Sequence, residues 1–415
     1  MKIFDFMHAY QPFFKDSIPD WVIKNLEEVF LPLSRALVHG YCKHTIQIQG
    51  WTLDAWNENE RTKPLFGEFV RNIRQAMLNG NVDIAFSAYS HPILPLLSNT
   101  LIEMQIEEDY KTVLKFFGEP KVFFPPEGAI DERTLRIISD IFPDITIMIP
   151  DRCISEDTVS GFYRYHNNKL AVFSVIIKDA LMGAPYFQKP PAFVPHEVDW
   201  NNARKAFRDD KALLTFFEQM DIDPAIIARD MENGESRNAL QEFGPRIKEI
   251  PALADAKAEK LFIKDGEITG EIESIGPASW EPLSHETDPF PFWAPRGEYF
   301  MFLSEAQKNL INTWLSLVHL YDIAIQENKK LFKETSPCII SCFPWHFTTP
   351  LEWDNNIGFS EYILDHCIKK ELPNIFTSGE DKEKFEKFVK VLDENLKELQ
   401  KKKKRLMEEA EKKNS

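Results

Sequence analysis

The sequence predicts an α/β protein built on a sheet of parallel strands, closed as a barrel or doubly wound, and followed by a helical domain. Three observations lead there. About seven short apolar runs alternate with amphipathic stretches as far as Asp230, an order that requires parallel strands joined by crossover helices. Polar or aromatic residues stand at the end of nearly every run or in the loop that follows it: His8, Trp51, His91, Glu127, Asp151, Lys178 and Asp230. Beyond Asp230 the alternation stops and longer helical patterns take over.

The elements follow in order. Residues 2–7 read as the first strand, ending at His8. Residues 21–38 have helical spacing, and 44–49 alternate as a strand does before Gly50 and Trp51 close it. In 64–78, Phe66, Phe69, Val70, Ile73 and Met77 recur at three and four and so share one helical face, which Asn79-Gly80 ends. Residues 82–86 form the third strand, 101–117 a helix and 122–124 the fourth strand. Pro125-Pro126 stops that strand, because proline has no N–H to give a ladder. A helix over 132–141, strands over 145–149 and 170–177, a helix over 210–220 and a short strand over 225–228 complete the alternation.

The expected organisation is a catalytic β/α domain over 1–262, a helical domain over 263–378 that contributes to the cleft, and a charged helical tail over 379–415. Residues 236–250 read as helical. Within 260–275, LFIKDGEIT carries an Asp-Gly turn between alternating residues and predicts a small hairpin. Helices over 304–326 and 360–368 flank CIISCFPWHFTTPLEW. In the tail, Phe385, Leu392, Leu399 and Leu406 recur every seven residues, with Phe388 and Leu396 partly filling a second seam. The basic run 401–405 reads as a solvated face; a coiled-coil contact to another subunit through this helix is the alternative.

Composition narrows the function. The 65 acidic residues outnumber the 49 basic ones, for a formal charge of −16, which disfavours nucleic acid and anionic membrane surfaces as partners. The 33 Phe, 10 Tyr and 9 Trp suit a thick core or a cleft that stacks flat apolar faces such as sugar rings. Cys42, Cys153, Cys338, Cys342 and Cys367 form no C-x-x-C pair, and their wide spacing predicts reduced thiols and a cytoplasmic protein. The opening MKIFDFMHAY lacks the features of a signal peptide, and no window has the run of about 18 apolar residues that a membrane span needs.

The chemistry centres on residues 121–135, KVFFPPEGAIDERTL. Glu127 follows the fourth strand immediately, and parallel strands bring their C-terminal ends to one side. Glu127 and Asp230, both at strand ends, suit a nucleophile paired with a general acid/base, as glycoside hydrolysis commonly requires. The spacing carries no H-E-x-x-H, zinc-type Cys/His cluster, G-x-S-x-G, Walker or dinucleotide motif, so no metal or cofactor is expected. A metal site drawing on His8, His91 and Asp151 stays open at this stage.

The same strand ends resemble glycoside hydrolase family 57, the α-glucan-active enzymes. HAYQP, from His8 through Gln11 to Pro12, is similar to its H-x-H-Q-P motif, with Tyr10 in place of the second His. AYSHPILP around His91 resembles its H-P-x-L-P-L motif, and FPPEGA around Glu127 its W-x-P-E-x-A motif. Arg229-Asp230-Met-Glu232-Asn233 is similar to its D-x-E-N motif, and Ser279-Trp280 and Asn309 resemble C-terminal elements. Lys178-Asp179 stands where many members have Arg-Asp, which keeps the charge without the two-pronged donor. The resemblance implies a seven-stranded (β/α) barrel of parallel strands with a C-terminal helical domain, acting on α-1,4-glucans or maltooligosaccharides as an amylase, glucanotransferase or branching enzyme. It further implies Glu127 as nucleophile and Asp230 as general acid/base, the latter protonated in the resting state. His8, Gln11, Trp51, His91, Lys178, Glu232, Trp280, Trp345 and His346 are the expected substrate-binding residues. A non-catalytic glucan-binding barrel and a metal-dependent carbohydrate deacetylase are the alternatives.

Overall fold

A computed structural model of the chain describes residues 2–9, 18–38, 43–154, 161–173, 214–219, 259–280, 288–349 and 357–414. Among them, ten strands share one sheet: β1 Lys2–Ala9, β2 His44–Ile48, β3 Val82–Phe86, β4 Val122–Phe123, β5 Thr146–Pro150, β6 Gly161–Tyr165, β7 Asn168–Phe173, β8 Leu214–Gln219, β9 Glu259–Leu261 and β10 Gly270–Glu271. The order is β10-β6-β7-β5-β4-β3-β2-β1-β8, with β9 also paired to β1. From β7 to β8 every neighbouring pair is parallel, a run of seven strands as expected of the (β/α) barrel class. Strands β2, β3 and β5 are buried at every position, as strands covered on both faces are.

Helices cover the parallel strands. Asp20–Asn25 (α1) and Leu31–Leu37 (α2), joined by a π-helical turn, precede β2. Gly50–Glu58 (α3) and Lys63–Leu78 (α4) lie between β2 and β3, Asn99–Phe117 (α5) between β3 and β4, and Glu132–Ile141 (α6) between β4 and β5. Their starts have local causes. Ser98 caps α5 by accepting from the Leu101 N–H, and Asp131 caps α6 by accepting from Thr134. The core beneath is aromatic: Trp56 packs against Phe30, Phe66 and Phe69, and Phe86 against Phe123, Tyr110 and Phe142.

The C-terminal half is helical, with Gly297–Phe302 (α7), Glu305–Glu327 (α8), Cys342–Thr348 (α9), Ile357–Ile363 (α10) and Gly379–Asn414 (α11). Ser304 and Gln307 form a reciprocal capping box at the start of α8. Polar contacts fasten this half to the barrel, among them Ser98 donating from N and Oγ to Asp322, Lys333 pairing with Asp54 and Glu108, and Ser341 reaching Glu127. The tail helix lies along α8 with Phe385, Leu392, Leu396 and Leu399 buried, so its heptad seam is covered by the chain itself at these four positions.

Several sequence expectations are corrected. The helix expected over 210–220 contains a strand, Leu214–Gln219, whose six residues pair in register with Ile3 to His8 of β1. Its two adjacent phenylalanines fit helical spacing and a buried strand equally, and tertiary pairing decides. The hairpin expected over 260–275 is absent: β9 pairs parallel to β1, and β10 parallel to β6. Gly266 sits at φ −60° and ψ 136°, without the left-handed conformation that a tight Asp-Gly hairpin requires. Cys338 and Cys367 form a disulfide with Cα atoms 5.5 Å apart, where reduced thiols were expected; contact across the fold, invisible in a spacing of 29 residues, brings them together. The expected strand over 225–228 and helix over 236–250 lie outside the described residues.

Candidate active site

Strand β4 is short because its ladder ends in proline. The Phe124 N–H still donates to the Phe86 carbonyl (2.9 Å), and then Pro126–Gly128 makes a single 3-10 turn. Within that turn Glu127 adopts φ 56° and ψ 21°, a left-handed conformation that β-carbon-bearing residues rarely take. The turn is pinned from both sides. The Trp280 N–H donates to the Glu127 carbonyl (3.1 Å), and Ile130 and Ala278 exchange two hydrogen bonds of 3.0 Å. This geometry aims the Glu127 side chain inward, where it is 13% exposed.

Among the described residues, Ser341 and His91 stand at its carboxylate. Ser341, just ahead of α9, donates from Oγ to Glu127 Oε1 at 2.8 Å, and His91 Nδ1 lies 3.0 Å from the same Ser341 oxygen. His91 Nδ1 also stands 3.5 Å from Glu127 Oε1. This is not an ion pair. Burial, and then the neighbouring His8, hold the His91 pKa well below the usual imidazole range, so the ring is neutral. The Ser341 hydroxyl hydrogen goes to Glu127, so His91 Nδ1 can meet the Ser341 oxygen only as a donor. A nucleophilic serine triad puts serine and carboxylate on opposite ring nitrogens of the histidine. Here both face Nδ1, and the serine hydrogen is spent on the carboxylate. The arrangement orients the Glu127 carboxylate and leaves Ser341 without the free base that a nucleophilic serine needs.

The loop that carries His91 is held as firmly. Its carboxylate clamp, Asp109 on α5, accepts the Gly50 N–H and the Ser87 N–H, each at 2.6 Å, and so ties together the ends of β2 and β3. Gln105 accepts the Ser90 N–H and donates to the Ser90 hydroxyl. Ser87 donates to the Phe124 carbonyl (2.6 Å) and thereby joins this loop to the end of β4. His91 itself is left-handed, at φ 58°. Among the described residues only four non-glycine positions have positive φ, and His91 and Glu127 are two of them. Such strain concentrates where function over-determines the backbone.

Aromatic rings wall the site. The rings of His8 and His91 stack at 5.2 Å and 25°, Trp280 sets its edge on His8 at 6.3 Å, and Phe124 lies 5.5 Å from His8. The Nδ1 of His8 pairs with Gln47 Oε1, whose residue is the β1–β2 register partner of His8. Of the residues expected from the sequence, His8, His91, Glu127 and Trp280 therefore meet here. Trp345 is half-buried and joins the same apolar cluster as Trp280 through Phe292. His346, its neighbour, packs against Phe359 (5.2 Å), toward α10. Trp51 is buried in the main core on α3 and donates its N–H to the Tyr89 carbonyl. Gln11, Lys178, Asp230 and Glu232 lie outside the described residues. Ser341, Gln47 and Asp109 carry no local motif, and only the folded arrangement reveals them. Among the described residues, no group of three or more His, Cys, Asp and Glu is placed to hold a metal ion.

The model of glycosyl hydrolase family 57 matches residues 6–175, which include His8, His91 and Glu127. No curated protein matches the chain. A 4-α-glucanotransferase from Thermococcus litoralis is similar in structure at 13% identity and a TM-score of 0.54, over 88% of this chain and 57% of its own. A GH57-type branching enzyme from Pyrococcus horikoshii is similar at 13% identity and a TM-score of 0.54, over 94% of both chains. Likeness at this identity shows the shared fold. The chain spans little more than half the length of the glucanotransferase.

Proposed function

We propose that this chain, whose residues 6–175 match glycosyl hydrolase family 57, is a retaining α-glucan-active enzyme in which Glu127 is the nucleophile. One observation carries the reading: a nearly buried carboxylate, held in a strained turn by a hydroxyl donor, stands among stacked histidines and a tryptophan edge. An ionised, oriented carboxylate attacks the anomeric carbon and forms a glycosyl–enzyme, while Asp230 protonates the leaving oxygen. Water or a second glucan then releases the sugar, which distinguishes an amylase from a glucanotransferase or branching enzyme. His8 and His91, Gln11, Lys178 and Glu232 would meet sugar hydroxyls, and Trp280 and Trp345 would stack on the ring faces.

The cytoplasmic location expected from the sequence is part of the same proposal; its ground in reduced thiols holds for Cys153 and Cys342 and fails for Cys338 and Cys367, which are bonded. The described residues contain no helix long and apolar enough to cross a membrane.

The test is turnover of maltooligosaccharides and glycogen by the purified chain. Glu127→Gln should be folded and inactive, and Asp230→Asn should lose about 10²–10⁴-fold in rate. Full activity in the Glu127→Gln variant overturns the reading. Saccharide binding by the wild type without turnover favours the non-catalytic alternative.

A further inference from the structure

Ser341 enters the site from the helical half of the chain and belongs to no motif. Its side chain is 1% exposed, and it makes three polar contacts within the site. Its N–H donates to the His91 carbonyl at 3.0 Å, its hydroxyl donates to Glu127 Oε1 at 2.8 Å, and the same oxygen lies 3.0 Å from His91 Nδ1. The two ends of the bond to Glu127 are 214 residues apart in sequence.

From this geometry we infer that Ser341 is a positioning residue for Glu127: it holds one carboxylate oxygen in a His91–Ser341–Glu127 chain and makes docking of the helical half a condition for a competent nucleophile. The inference rests on the reading of Glu127 as nucleophile. A carboxylate with one oxygen held by a hydroxyl cannot rotate freely, so the approach of its other oxygen to the substrate is set in advance. The hydroxyl also favours the ionised carboxylate, the form that attacks. With the Ser341 hydrogen on Glu127, the hydrogen order follows: His91 Nδ1–H to Ser341 Oγ, and Ser341 Oγ–H to Glu127. The Ser341 backbone contact with His91 fixes the serine relative to the β3 loop, independently of its side chain.

The experiment compares Ser341→Ala, Ser341→Thr and Glu127→Gln in the full chain, with thermal unfolding as the control for folding. Ser341→Ala should lower kcat about ten- to a hundredfold, the worth of a hydrogen bond to a charged group, with KM changed less. The acidic limb of its kcat/KM profile should move to higher pH by about one unit, because the carboxylate has lost a donor that favours its ionised form. Ser341→Thr keeps the hydroxyl and should restore both the rate and the limb. A purely structural serine would change stability but leave the limb where it was. Should Ser341→Ala fail to fold, Ser341→Gly removes the same hydroxyl with more room and is read in the same way. A folded variant without the hydroxyl, with wild-type kcat and an unmoved limb, overturns the inference. If Glu127→Gln is itself active, the functional reading has failed; if Glu127→Gln is inactive and Ser341→Ala is wild type, only the role of Ser341 has failed.

Discussion

The backbone N–H of Trp280 donates to the carbonyl of Glu127 at 3.1 Å, so the strained turn carrying the carboxylate leans directly on the aromatic wall of its own site. Gly128 permits that approach. A Cβ at Gly128 would stand 3.2 Å from Trp280 Cβ and 3.3 Å from Trp280 N, and Gly128 is left-handed at φ +58°. Gly128→Ala should therefore cost about 1–2 kcal/mol for the backbone alone and more for the displaced tryptophan. Gly80→Ala is the control, since Gly80 is left-handed at φ +73° with nothing within 4 Å of its Cβ position. Thermal unfolding and turnover of both variants separate the terms. Gly128→Ala should lose activity and stability together, and Gly80→Ala should lose only stability.

A second prediction concerns Asp109. Burial pushes its pKa up to about 7, even though the Ser87 and Gly50 amides pull the other way. The folded state thus holds a proton that the unfolded chain, with its ordinary carboxylate, gives up at lower pH. On this group's account, stability is fully present below about pH 4 and is lost as the pH rises through about 7. Asp109→Asn should remove that fall. Asp109 sets one oxygen to each N–H donor, and Asn would put an NH2 in place of one of them, so a fixed loss of about 1–3 kcal/mol should remain. Unfolding measured between pH 4 and 8 should show the gap between wild type and variant narrowing as the pH rises. The site should loosen as well, because Asp109 joins the loops that follow β2 and β3. Gly50 has no room to move: a Cβ there would lie 2.6 Å from Asp109 Oδ1.

The disulfide gives a third. Cys338 and Cys367 enclose 29 residues of separation, and the bond holds the segment that leads into Ser341. Loop-closure entropy assigns such a bond about 3–4 kcal/mol. Denatured protein should titrate five thiols after reductant and two fewer before it. The Cys338→Ala/Cys367→Ala double variant should melt lower, and its kcat should fall with it if that segment presents Ser341 to Glu127.

How much of this was readable in advance depends on whether the cause was local. Glu127 stood out because Pro125-Pro126 must end a strand, a local cause. Residues His8 and His91 were legible as strand-end groups, although their stacking was not. The strand Leu214–Gln219 was not legible, since its apolar pattern fits either period and only pairing with β1 chooses. Ser341 was invisible for a stronger reason: a serine acquires its role from partners on other elements, and no local pattern encodes a bond across 214 residues.

The last prediction distinguishes the two readings of the tail. Its heptad seam is the pattern of a coiled coil between subunits, yet Leu392, Leu396 and Leu399 are wholly buried within the chain, where α11 lies along α8. Leu396→Ala should then cost about 2–5 kcal/mol, the range for emptying a packed leucine site. Because the partner surface is in the same chain, the denaturation midpoint should not depend on protein concentration, for wild type or variant. A midpoint that rises with concentration in the wild type and ceases to do so in Leu396→Ala would show instead that the seam serves a second subunit. The same variant reports on the site, since α8 also carries Asp322, whose carboxylate binds Ser98 at the cap of α5. Loosening α11 from α8 should therefore weaken the fastening between the helical half and the barrel, and turnover should fall along with stability.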